Sequence, residues 1–535
     1  MMGKTDESFT AVERAALAPF FTNLDSPVFA LRNLPEVVKG ALFARYSRSP
    51  KSVRRLFLDE FLDQVPSGEI HEVGVERAER LYERVFDEYG DDSVAQLGGV
   101  HLACEGASNI LTKVLEWGRL MAYLEQSTRY IAYDRRVNGR WRYVVPPELE
   151  AHPLRAEYER ALDTLFETYA EWLPKLESYF SRVFPRGAHD PEGAYQRSIR
   201  AKALDALRGL LPAATQSNVG LFGSGQAFEA LLLRMRAHPL GEVRQCADLM
   251  LTELRKVIPA FLRRVDRADR GGVWTEYLRQ TRAAAREITR AYTSNVTCEP
   301  RPEVTLTEFD PEGEVKVVAA ALYAHSHLPD DQLLNLAKKM TPSEREKVLR
   351  AYVGDRRNRR HKPGRAFERT FYRFDLLTDY GAFRDLQRHR LLTVEWQPFS
   401  PHHGYDTPPA IVEAGAESAW REAMDRSAAL YRTLCEAGLD EVAPYSLCFA
   451  YRIRFYLHMN AREAMHVLEL RTTPQGHPVY RRICQQMHRL IAEQAGHRAI
   501  AAAMKYVNYE DVELERLEAE RAREARRAGT RSTGS

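Results

Sequence analysis

The sequence Asp385-Leu386-Gln387-Arg388-His389-Arg390 is followed about 70 residues later by Asn460-Ala461-Arg462-Glu463-Ala464-Met465-His466-Val467-Leu468-Glu469-Leu470-Arg471. These two segments place arginine, histidine and asparagine side chains in stretches whose other residues are largely apolar. Because an unpaired charge is costly in apolar surroundings, such arginines require anionic or planar polar partners. The two segments therefore predict a site for a phosphorylated, flat, heteroaromatic ligand.

Length and composition indicate a folded protein of several domains. A chain of 535 residues is too long for one hydrophobic core, so two or three domains are expected. A content of 44% hydrophobic and 28% charged residues is typical of globular proteins. The 77 lysines and arginines nearly balance the 74 aspartates and glutamates. Any basic site therefore has to be local, and a general polyanion-binding protein is disfavoured.

Cysteine usage and hydropathy predict a cytoplasmic protein. The six cysteines are scattered and include no Cys-x-x-Cys pair, which disfavours a zinc site or a disulfide framework and suits a reducing compartment. The first residues lack the apolar core of a signal peptide, and no apolar run is long enough to span a bilayer. Neither secretion nor membrane insertion is expected from these features.

Two pairs of similar short segments indicate an internal duplication. The segment 43–49 is echoed by 321–327, and 116–120 occupies the place in the first half that 387–391 occupies in the second. Both separations are roughly 270 residues, well beyond the periods of solenoid repeats. Prolines at 300 and 302 mark a boundary between the copies. We predict an N-terminal domain (1–298), a C-terminal domain (299–512), and a charged helix with a disordered tail (513–535).

Local periodicity predicts an α+β fold in which helices dominate. Each of the two domains is expected to carry a small mixed sheet packed with several helices. The individual elements expected from the pattern are a helical hairpin over 153–184, a helix over 241–265, and short strands at 143–145, 304–306 and 315–318.

The second half carries several short elements in a fixed order: Phe367-Glu368-Arg369, then Arg388-His389-Arg390, then Asn460, Arg462, His466 and Leu470-Arg471. This order resembles the flavin-dependent thymidylate synthase (ThyX) family, in which Arg-His-Arg is followed after seven residues by Ser. Two positions depart from the family pattern. Arg369 replaces the usual His, and Pro398 stands in place of the Ser. Because proline lacks a backbone N–H, this half is not expected to build the usual phosphate loop.

The first half has the opposite defect. Trp117-Gly118-Arg119 replaces Arg-His-Arg, and Ser224-Gly225-Gln226 replaces Asn-x-Arg. In contrast, Ser127-Thr128-Arg129-Tyr130 keeps the Ser-x-Arg-Tyr of the family, with Glu125 two residues before it. Arg208 begins a string similar to the family's Arg-x-x-Leu-Pro, whose arginine contacts the nucleotide. The two halves therefore retain complementary parts of one site.

The resemblance has implications for assembly and activity. In the family, the active site lies between subunits, with Arg-His-Arg from one chain and the Ser-x-Arg loop from its partner. The resemblance implies that the two halves form a pseudo-dimer with one composite site, and that a homodimer of the chain forms a pseudo-tetramer. It also implies conversion of dUMP to dTMP, with FAD as cofactor and with NADPH and methylenetetrahydrofolate as co-substrates.

The resemblance also implies individual roles. Arg471 is expected to be catalytic, because a nearby positive charge favours an ionised N3 of uracil. The expected cofactor-binding residues are Arg388, His389, Arg390, Asn460, Arg462 and His466. The expected substrate-binding residues are Glu125, Ser127, Thr128, Arg129 and Arg208. No metal is expected. His402, His403 and Asp406 could suggest a metal site, but adjacent histidines point in different directions on most backbones and no ligand at helical spacing accompanies them, so a loop is favoured there.

Two alternatives to an active enzyme remain open. The first is a catalytically inactive relative that binds flavin or nucleotide for a structural or regulatory role. The second is a nucleic-acid-binding protein that uses the basic segments 356–362 and 523–531. The second is disfavoured because these segments are short, the net charge is small, and no aromatic-interleaved motif accompanies them.

Overall fold

The computed structural model describes residues 8–46, 49–62 and 96–511, together with residues 514, 517, 520 and 521. The predicted charged helix and tail, 513–535, therefore lie almost wholly outside the described residues. Within the described part of the chain, no helix combines the length and the apolar character needed to cross a membrane.

In the residues that the structure describes, seven strands form two small sheets. The strands are β1 (Gly99–Ser108), β2 (Met121–Glu125), β3 (Gln216–Ser224), β4 (Val304–Phe309), β5 (Phe371–Asp379), β6 (Thr393–Trp396) and β7 (Arg452–Asn460). The first sheet has the order β1-β3-β2, and the second has the order β4-β5-β7-β6. Pairing is antiparallel between β2 and β3 and throughout the second sheet. Without β4, the second sheet repeats the strand order of the first.

Helices make up most of the regular secondary structure of the described chain. They are α1 (Ala11–Leu17), α2 (Glu36–Tyr46), α3 (Val53–Phe57), α4 (Asn109–Leu115), α5 (Arg155–Val183), α6 (Glu192–Leu207), α7 (Gly225–Arg236), α8 (Gly241–Leu254), α9 (Val273–Thr293), α10 (Gly313–Tyr323), α11 (Asp330–Lys339), α12 (Pro342–Val353), α13 (Tyr380–Leu386), α14 (Pro409–Glu413), α15 (Glu417–Glu436), α16 (Ala461–Arg471), α17 (Pro478–Glu493) and α18 (Arg498–Ala503). The prediction of an α+β fold dominated by helices is confirmed.

Four strands run directly into a helix through a capping side chain. Ser108 ends β1 and caps α4, and Ser224 ends β3 and caps α7. In the second half, Asp379 ends β5 and caps α13, and Asn460 ends β7 and caps α16. Each cap oxygen accepts a hydrogen bond from a backbone N–H of the first helical turn, so the start of each helix is fixed at the end of its strand. The same strand–cap–helix unit therefore occurs twice in each half.

Contacts divide the chain into two compact units. Unit 1 comprises Met1–Glu105, Gly118–Glu125 and Asn218–Val296, and unit 2 comprises Gly106–Trp117, Gln126–Ser217 and Thr297–Ser535. The predicted boundary at residue 298 lies close to the end of unit 1, but two segments of the first half belong to unit 2. Copies of a sequence repeat and compact bodies need not coincide, because segments of one copy can pack into the core of the other.

The core of unit 2 explains why these segments belong to it. Apolar side chains of α5 and α6, such as Leu165 and Leu204, are part of one hydrophobic cluster with Phe374 of β5 and Phe455 of β7. Burial of apolar surface is the main favourable contribution to folding, so a shared cluster makes these segments one body. The catalytic and cofactor-binding residues expected from the sequence all lie in this unit.

Several local predictions need correction. Instead of a hairpin, residues 155–183 form the single helix α5, because its apolar residues follow one uninterrupted buried stripe across Pro174. Residues 315–318 are helical in α10 rather than a strand, since Val317 and Val318 lie in a buried run inside that helix. The helix predicted over 241–265 ends at Leu254. Of 143–145, only Tyr143 forms an isolated bridge, whereas the strand at 304–306 is confirmed as part of β4.

Candidate functional site

The carboxylate of Asp385, in the last turn of α13, lies at the centre of a group of arginines. Its Oδ1 accepts a hydrogen bond from Arg388 Nη2 at 2.7 Å, and its Oδ2 accepts one from Arg208 Nη1 at 3.4 Å. Arg471 Nη1 lies 3.8 Å from Oδ1. Burial alone would raise the pKa of Asp385, but Arg388, Arg471, Arg208 and Arg129 together hold it well below its ordinary value. One ionised carboxylate therefore balances several guanidinium groups.

Arg129, from the Ser-x-Arg string of the first half, contacts residues of both halves within unit 2. Its Nε and Nη2 each donate to the carboxylate of Asp205 in α6 at 2.7 Å. Its Nη1 donates to Tyr480 Oη in α17 at 2.9 Å. Ser127 Oγ accepts from the backbone N–H of Arg129 at 3.3 Å. The guanidinium is thus fixed by a bidentate ion pair.

Arg208 and Thr128 also lie against α13. Arg384 Nη1 of that helix donates to Thr128 Oγ1 at 3.5 Å. Arg208 is almost fully buried, and its Nη2 lies 3.8 Å from Asp379 Oδ1. A Cβ atom on Gly381 would lie 3.0 Å from Arg208 Cζ, so the absence of a side chain at this position makes room for the guanidinium. Residues of the first half and of α13 therefore form one buried polar cluster.

His389 connects this cluster to α16. Its Nε2 accepts a hydrogen bond from Arg471 Nε at 2.9 Å, and its Nδ1 lies 3.7 Å from Glu463 Oε1. The rings of His389 and His466 are 5.5 Å apart and nearly perpendicular. Burial, followed by the charge of Arg471, lowers the pKa of His389 well below its ordinary value. The imidazole is therefore neutral at physiological pH.

Cationic side chains surround His466. Burial has the largest effect on its pKa, and the charges of Lys362, Arg359, Arg471 and Arg462 lower it further, to about 4. Because several cations face one neutral imidazole, the electrostatic potential at this place is positive and favours an anionic ligand.

The ligand atoms of His389, Glu463 and His466 lie within 4.8 Å of one another, a spacing that a metal ion can bridge. Two features disfavour a metal ion here. Arg471 already donates to Nε2 of His389, and the neighbouring cations oppose a further positive charge. The sequence-based expectation that the protein holds no metal stays a prediction.

Other residues predicted from the sequence lie at the edge of the cluster or outside it. Asn460 caps α16, with its amide oxygen accepting a backbone N–H at 2.9 Å. Arg462 Nε donates to the carbonyl of Pro363 at 3.0 Å, and Arg390 is exposed. Glu125, the buried last residue of β2, belongs to unit 1. The remaining predicted residues all lie in unit 2.

The departures from the family pattern have structural roles in this chain. Pro398 precedes Phe399, which is buried and stacks on Tyr380 with ring centroids 4.4 Å apart. The segment that would form the phosphate loop of the second half therefore contributes to the core. Arg369 pairs with Asp330, with Nη2 2.6 Å from Oδ2, in place of the histidine expected at this position.

Two sites weighed from the sequence are also placed by the structure. His402 and His403 lie in a short 3-10 turn, and Asp406 accepts a hydrogen bond from Arg452 Nε at 2.7 Å. This agrees with a loop at these residues. In the basic segment 356–362, Arg356 is buried and paired with Glu469, so its charge is not available to a polyanion.

Sequence reasoning did not assign Asp385, Asp205 or Glu463 to the site. The sequence does contain an indication of the contact between Asp385 and Arg388. The two residues are three positions apart, and this spacing brings side chains together near a helix end. Asp205 had none, since its partner Arg129 lies 76 residues away. Its role follows only from the packing of α6 against the segment that carries Arg129.

A family model for the thymidylate synthase complementing protein (Thy1) matches residues 41–260 and again residues 305–496. The chain belongs to this family. The two matches confirm the prediction of two tandem ThyX-like domains. The first match contains β1 to β3, and the second contains β5 to β7, the strands that share one order in the two sheets.

The relatives that match nearly the whole length of this chain are named only as UPF0159 proteins. UPF0159 proteins from Chlamydia pneumoniae and Chlamydia muridarum are 40% and 39% identical over 98% and 97% of this chain, and 99% of each relative is covered. A UPF0159 protein from Thermoplasma acidophilum is 32% identical over 90% of this chain and 97% of its own length. A flavin-dependent thymidylate synthase from Clostridium tetani is 26% identical over 32% of this chain and 64% of its own length.

A pH dependence of stability follows from the buried carboxylate of Glu463. Burial raises the pKa of Glu463 to about 7, from an ordinary value of 4.5, although Lys362, Arg462 and Arg390 act in the opposite direction. Between these two values the folded protein holds a proton that the unfolded chain has released. The contribution of Glu463 to stability is therefore full below about pH 4.5 and is lost as the pH rises through 7.

The Glu463→Gln variant is expected to remove this dependence. From pH 5 to pH 8 it should gain roughly 2–3 kcal/mol in free energy of unfolding relative to the unmodified protein. Urea unfolding of both proteins across this range measures the difference. Burial raises the pKa of Asp379 to about 6. Asp379 titrates in both proteins, so its contribution to the pH dependence cancels in the difference between them. A difference that does not change with pH would contradict the expectation.

Proposed function

We propose that the protein is a thymidylate synthase that converts dUMP to dTMP, with FAD as cofactor and with methylenetetrahydrofolate and NADPH as co-substrates. One observation supports this most strongly. Arginines from both halves of a duplicated Thy1 chain meet around one carboxylate, Asp385, and all of them were expected from the family pattern. A composite site made of the two halves requires this convergence.

The nucleotide phosphate is proposed to bind between the hydroxyl groups of Ser127 and Thr128 and the guanidinium groups of Arg129 and Arg208. Charge-assisted hydrogen bonds from arginine to phosphate are strong and directional. Arg471 then faces the uracil edge, where its charge favours an ionised N3 and polarises the ring without an enzyme nucleophile. Because its Nε is bound to His389, the guanidinium has a defined orientation.

The residues around His466 fit a flavin pyrophosphate. Two phosphate groups require several cationic donors, and Arg359, Lys362, Arg390 and Arg462 act electrostatically on Glu463 and His466 from this side. We propose that these cations hold the pyrophosphate, together with Arg388. When bound, FAD supplies hydride transfer between NADPH and the one-carbon unit.

A second candidate function has a specific observation in its favour. Asp205 engages Nε and Nη2 of Arg129, and Pro398 removes the phosphate loop of the second half. A catalytically inactive relative that binds flavin or nucleotide for a structural or regulatory role would tolerate both features. Enzyme and inactive relative differ in turnover, and bound flavin is required by the enzyme but not by a relative that binds only the nucleotide.

Two measurements on the purified full chain separate these functions. The absorbance spectrum reports bound flavin, and release of tritium from dUMP labelled at C5, on addition of NADPH and methylenetetrahydrofolate, reports methylation at that carbon. Flavin with tritium release supports the enzyme. Flavin without release supports the inactive relative, and the absence of both after incubation with FAD would remove the proposal.

The composite site predicts a matched effect of two substitutions, one in each half. Arg129→Ala and Arg388→Ala are each expected to weaken dUMP binding at least about tenfold, because Arg129 contacts the phosphate and Arg388 fixes Asp385, beside which Arg208 and Arg471 lie. Isothermal titration calorimetry measures the dissociation constants. Arg136→Ala, which removes an exposed ion-paired arginine, serves as the control and is expected to bind normally. Loss of binding in only one of the two variants would contradict the shared site.

Arg129→Lys tests whether the loss of dUMP binding in Arg129→Ala is caused only by a folding defect. Lysine keeps a positive charge opposite Asp205 but lacks the planar fork that engages two oxygens at once. It is expected to retain the melting temperature better than Arg129→Ala while still weakening dUMP binding. Unchanged dUMP binding in Arg129→Lys would show that the fork is not needed for the phosphate.

We also propose that the protein acts in the cytoplasm as a homodimer, in which two fused pairs of domains replace four separate chains. A chain of 61.3 kDa then gives a particle of twice that mass. Light scattering coupled to gel filtration measures this directly, and a monomeric mass across the tested concentrations would exclude the pseudo-tetramer.

A further inference from the structure

His389 joins the two ends of α16. Its Nε2 accepts from Arg471, the last residue of the helix, and its Nδ1 faces Glu463 in the first turn. The ring is 5% exposed and the Glu463 side chain 4% exposed, so bulk water does not separate them. Glu463 is itself fixed, because its backbone N–H donates to the capping side chain of Asn460 at 2.9 Å.

The contact with Arg471 shows which ring nitrogen of His389 carries the proton. A guanidinium group only donates hydrogen bonds, so Nε2 must offer its lone pair. Because the imidazole is neutral, its single proton is then on Nδ1. That nitrogen faces the Glu463 carboxylate, which accepts hydrogen bonds when it is ionised. The neighbours on both sides of the ring therefore favour the same tautomer.

We infer that Glu463 is a positioning residue, which holds the Nδ1–H tautomer of His389 and so keeps Nε2 available to orient Arg471. Glu463 touches neither nucleotide nor flavin in this arrangement, and it acts through His389. The tautomer can be tested without any assumption about activity. Only the consequence for dUMP rests on the proposed function, in which Arg471 faces the uracil.

The charged groups around this chain of contacts support the arrangement. Burial raises the pKa of Glu463 to about 7, and Lys362, Arg462 and Arg390 act in the opposite direction, towards the carboxylate form. Burial has the largest effect on His389 and disfavours a second proton on its ring, as do the charges of Arg471 and Arg388. The charge of Asp385 favours a second proton, but its effect is smaller. A pH of about 8 lies above the pKa of Glu463, so the carboxylate is ionised there.

Nitrogen-15 NMR of histidine-labelled protein at about pH 8 tests the tautomer, with His389→Asn to assign the signals. We expect the Nδ1–H form in the unmodified protein and in Arg471→Met, where Glu463 alone holds it. In the double variant Arg471→Met with Glu463→Gln, both tautomers are expected, because an amide both donates and accepts. Arg471→Met with Glu346→Gln, which changes an exposed glutamate, should keep the Nδ1–H form.

Two NMR outcomes would overturn the inference. One is loss of the Nδ1–H preference in Arg471→Met alone, which would leave the tautomer under the control of Arg471. The other is a single Nδ1–H form in the double variant with Glu463→Gln, which would show that the carboxylate is not needed. Neither outcome depends on dUMP turnover, so both leave the proposed function untouched.

Binding of dUMP supplies the functional readout. Glu463→Gln is expected to weaken binding roughly tenfold in the presence of Arg471, and to add no further loss in Arg471→Met, because its effect passes through that residue. An equal loss in both backgrounds would show that Glu463 acts independently of Arg471 and would overturn the inference. If the unmodified protein does not bind dUMP, the proposed function fails and the NMR result alone decides the role of Glu463.

Discussion

Replacing Asp385 by asparagine is expected to lower the free energy of unfolding by roughly 3–5 kcal/mol. Asparagine keeps the shape of the side chain but removes the negative charge that Arg388, Arg208 and Arg471 share. Since these guanidinium groups are largely buried, they would be left close together without the charge that balances them. Urea unfolding of both proteins at pH 7 measures the difference.

A control and a rescue make this experiment specific. Asp248→Asn breaks an exposed pair with Arg236 and should change stability by no more than about 0.5 kcal/mol. Inorganic phosphate should restore part of the stability of Asp385→Asn, because an anion can take the place of the carboxylate among the arginines. Phosphate also stabilises proteins in general, so its effect is compared with that on Asp248→Asn.

Two results would exclude Asp385 as the organising charge of the site. One is an Asp385→Asn variant as stable as the unmodified protein. The other is a destabilised variant that responds to phosphate no more than the Asp248→Asn control does. The first would mean that the arginines do not need the charge of Asp385, and the second that they do not form an anion-binding group.

A loss of about 3–5 kcal/mol is also expected for Glu469→Gln. Glu469 lies in α16, and each of its carboxylate oxygens accepts a hydrogen bond from Arg356 at 2.6 Å. Both side chains are almost fully buried, at 1% and 2% exposure. Removing one partner leaves the other charge uncompensated in an apolar environment, which costs more than the net benefit of the intact pair. Thermal and urea unfolding measure this loss.

A double variant shows whether the destabilisation comes from loss of the ion pair or from a buried charge left without a partner. Arg356→Met with Glu469→Leu removes both charges at similar volume and is expected to be more stable than Glu469→Gln alone. Glu346→Gln, which breaks an exposed pair with Arg350 on α12, should cost no more than about 0.5 kcal/mol. A double variant that is less stable than Glu469→Gln would show that the buried pair itself stabilises the fold.

Much of the fold could be predicted from the sequence because its signals are local. The string around Arg388 lies at the end of α13, and Asn460 to Arg471 form the cap and the whole of α16. Both helices directly follow a strand, at the capping residues Asp379 and Asn460. Such short patterns survive in both halves, so the duplication was visible as echoes about 270 residues apart. The two family matches fall on the same two halves.

Helix boundaries and compact units were harder to predict from the sequence. The hairpin predicted over 153–184 is one helix, because burial of a continuous stripe of side chains outweighs the local signal of Pro174. The segment 315–318 has β-branched residues typical of strands, yet it is helical in α10 where two of them are buried. In both cases, packing against other elements overrides local propensity.

The sequence by itself determined the family, the tandem arrangement, and most of the residue types in the candidate site. Only the tertiary structure decided which of these residues meet. Asp385 and Arg208 are 177 residues apart, and Arg129 reaches Tyr480 across 351 residues. Helical periodicity relates side chains within a few turns, whereas these ion pairs depend on where whole helices pack and where long side chains end. For that reason the place of Asp385 at the centre of the arginines follows only from the tertiary structure, although Asp385 is the first residue of the segment 385–390.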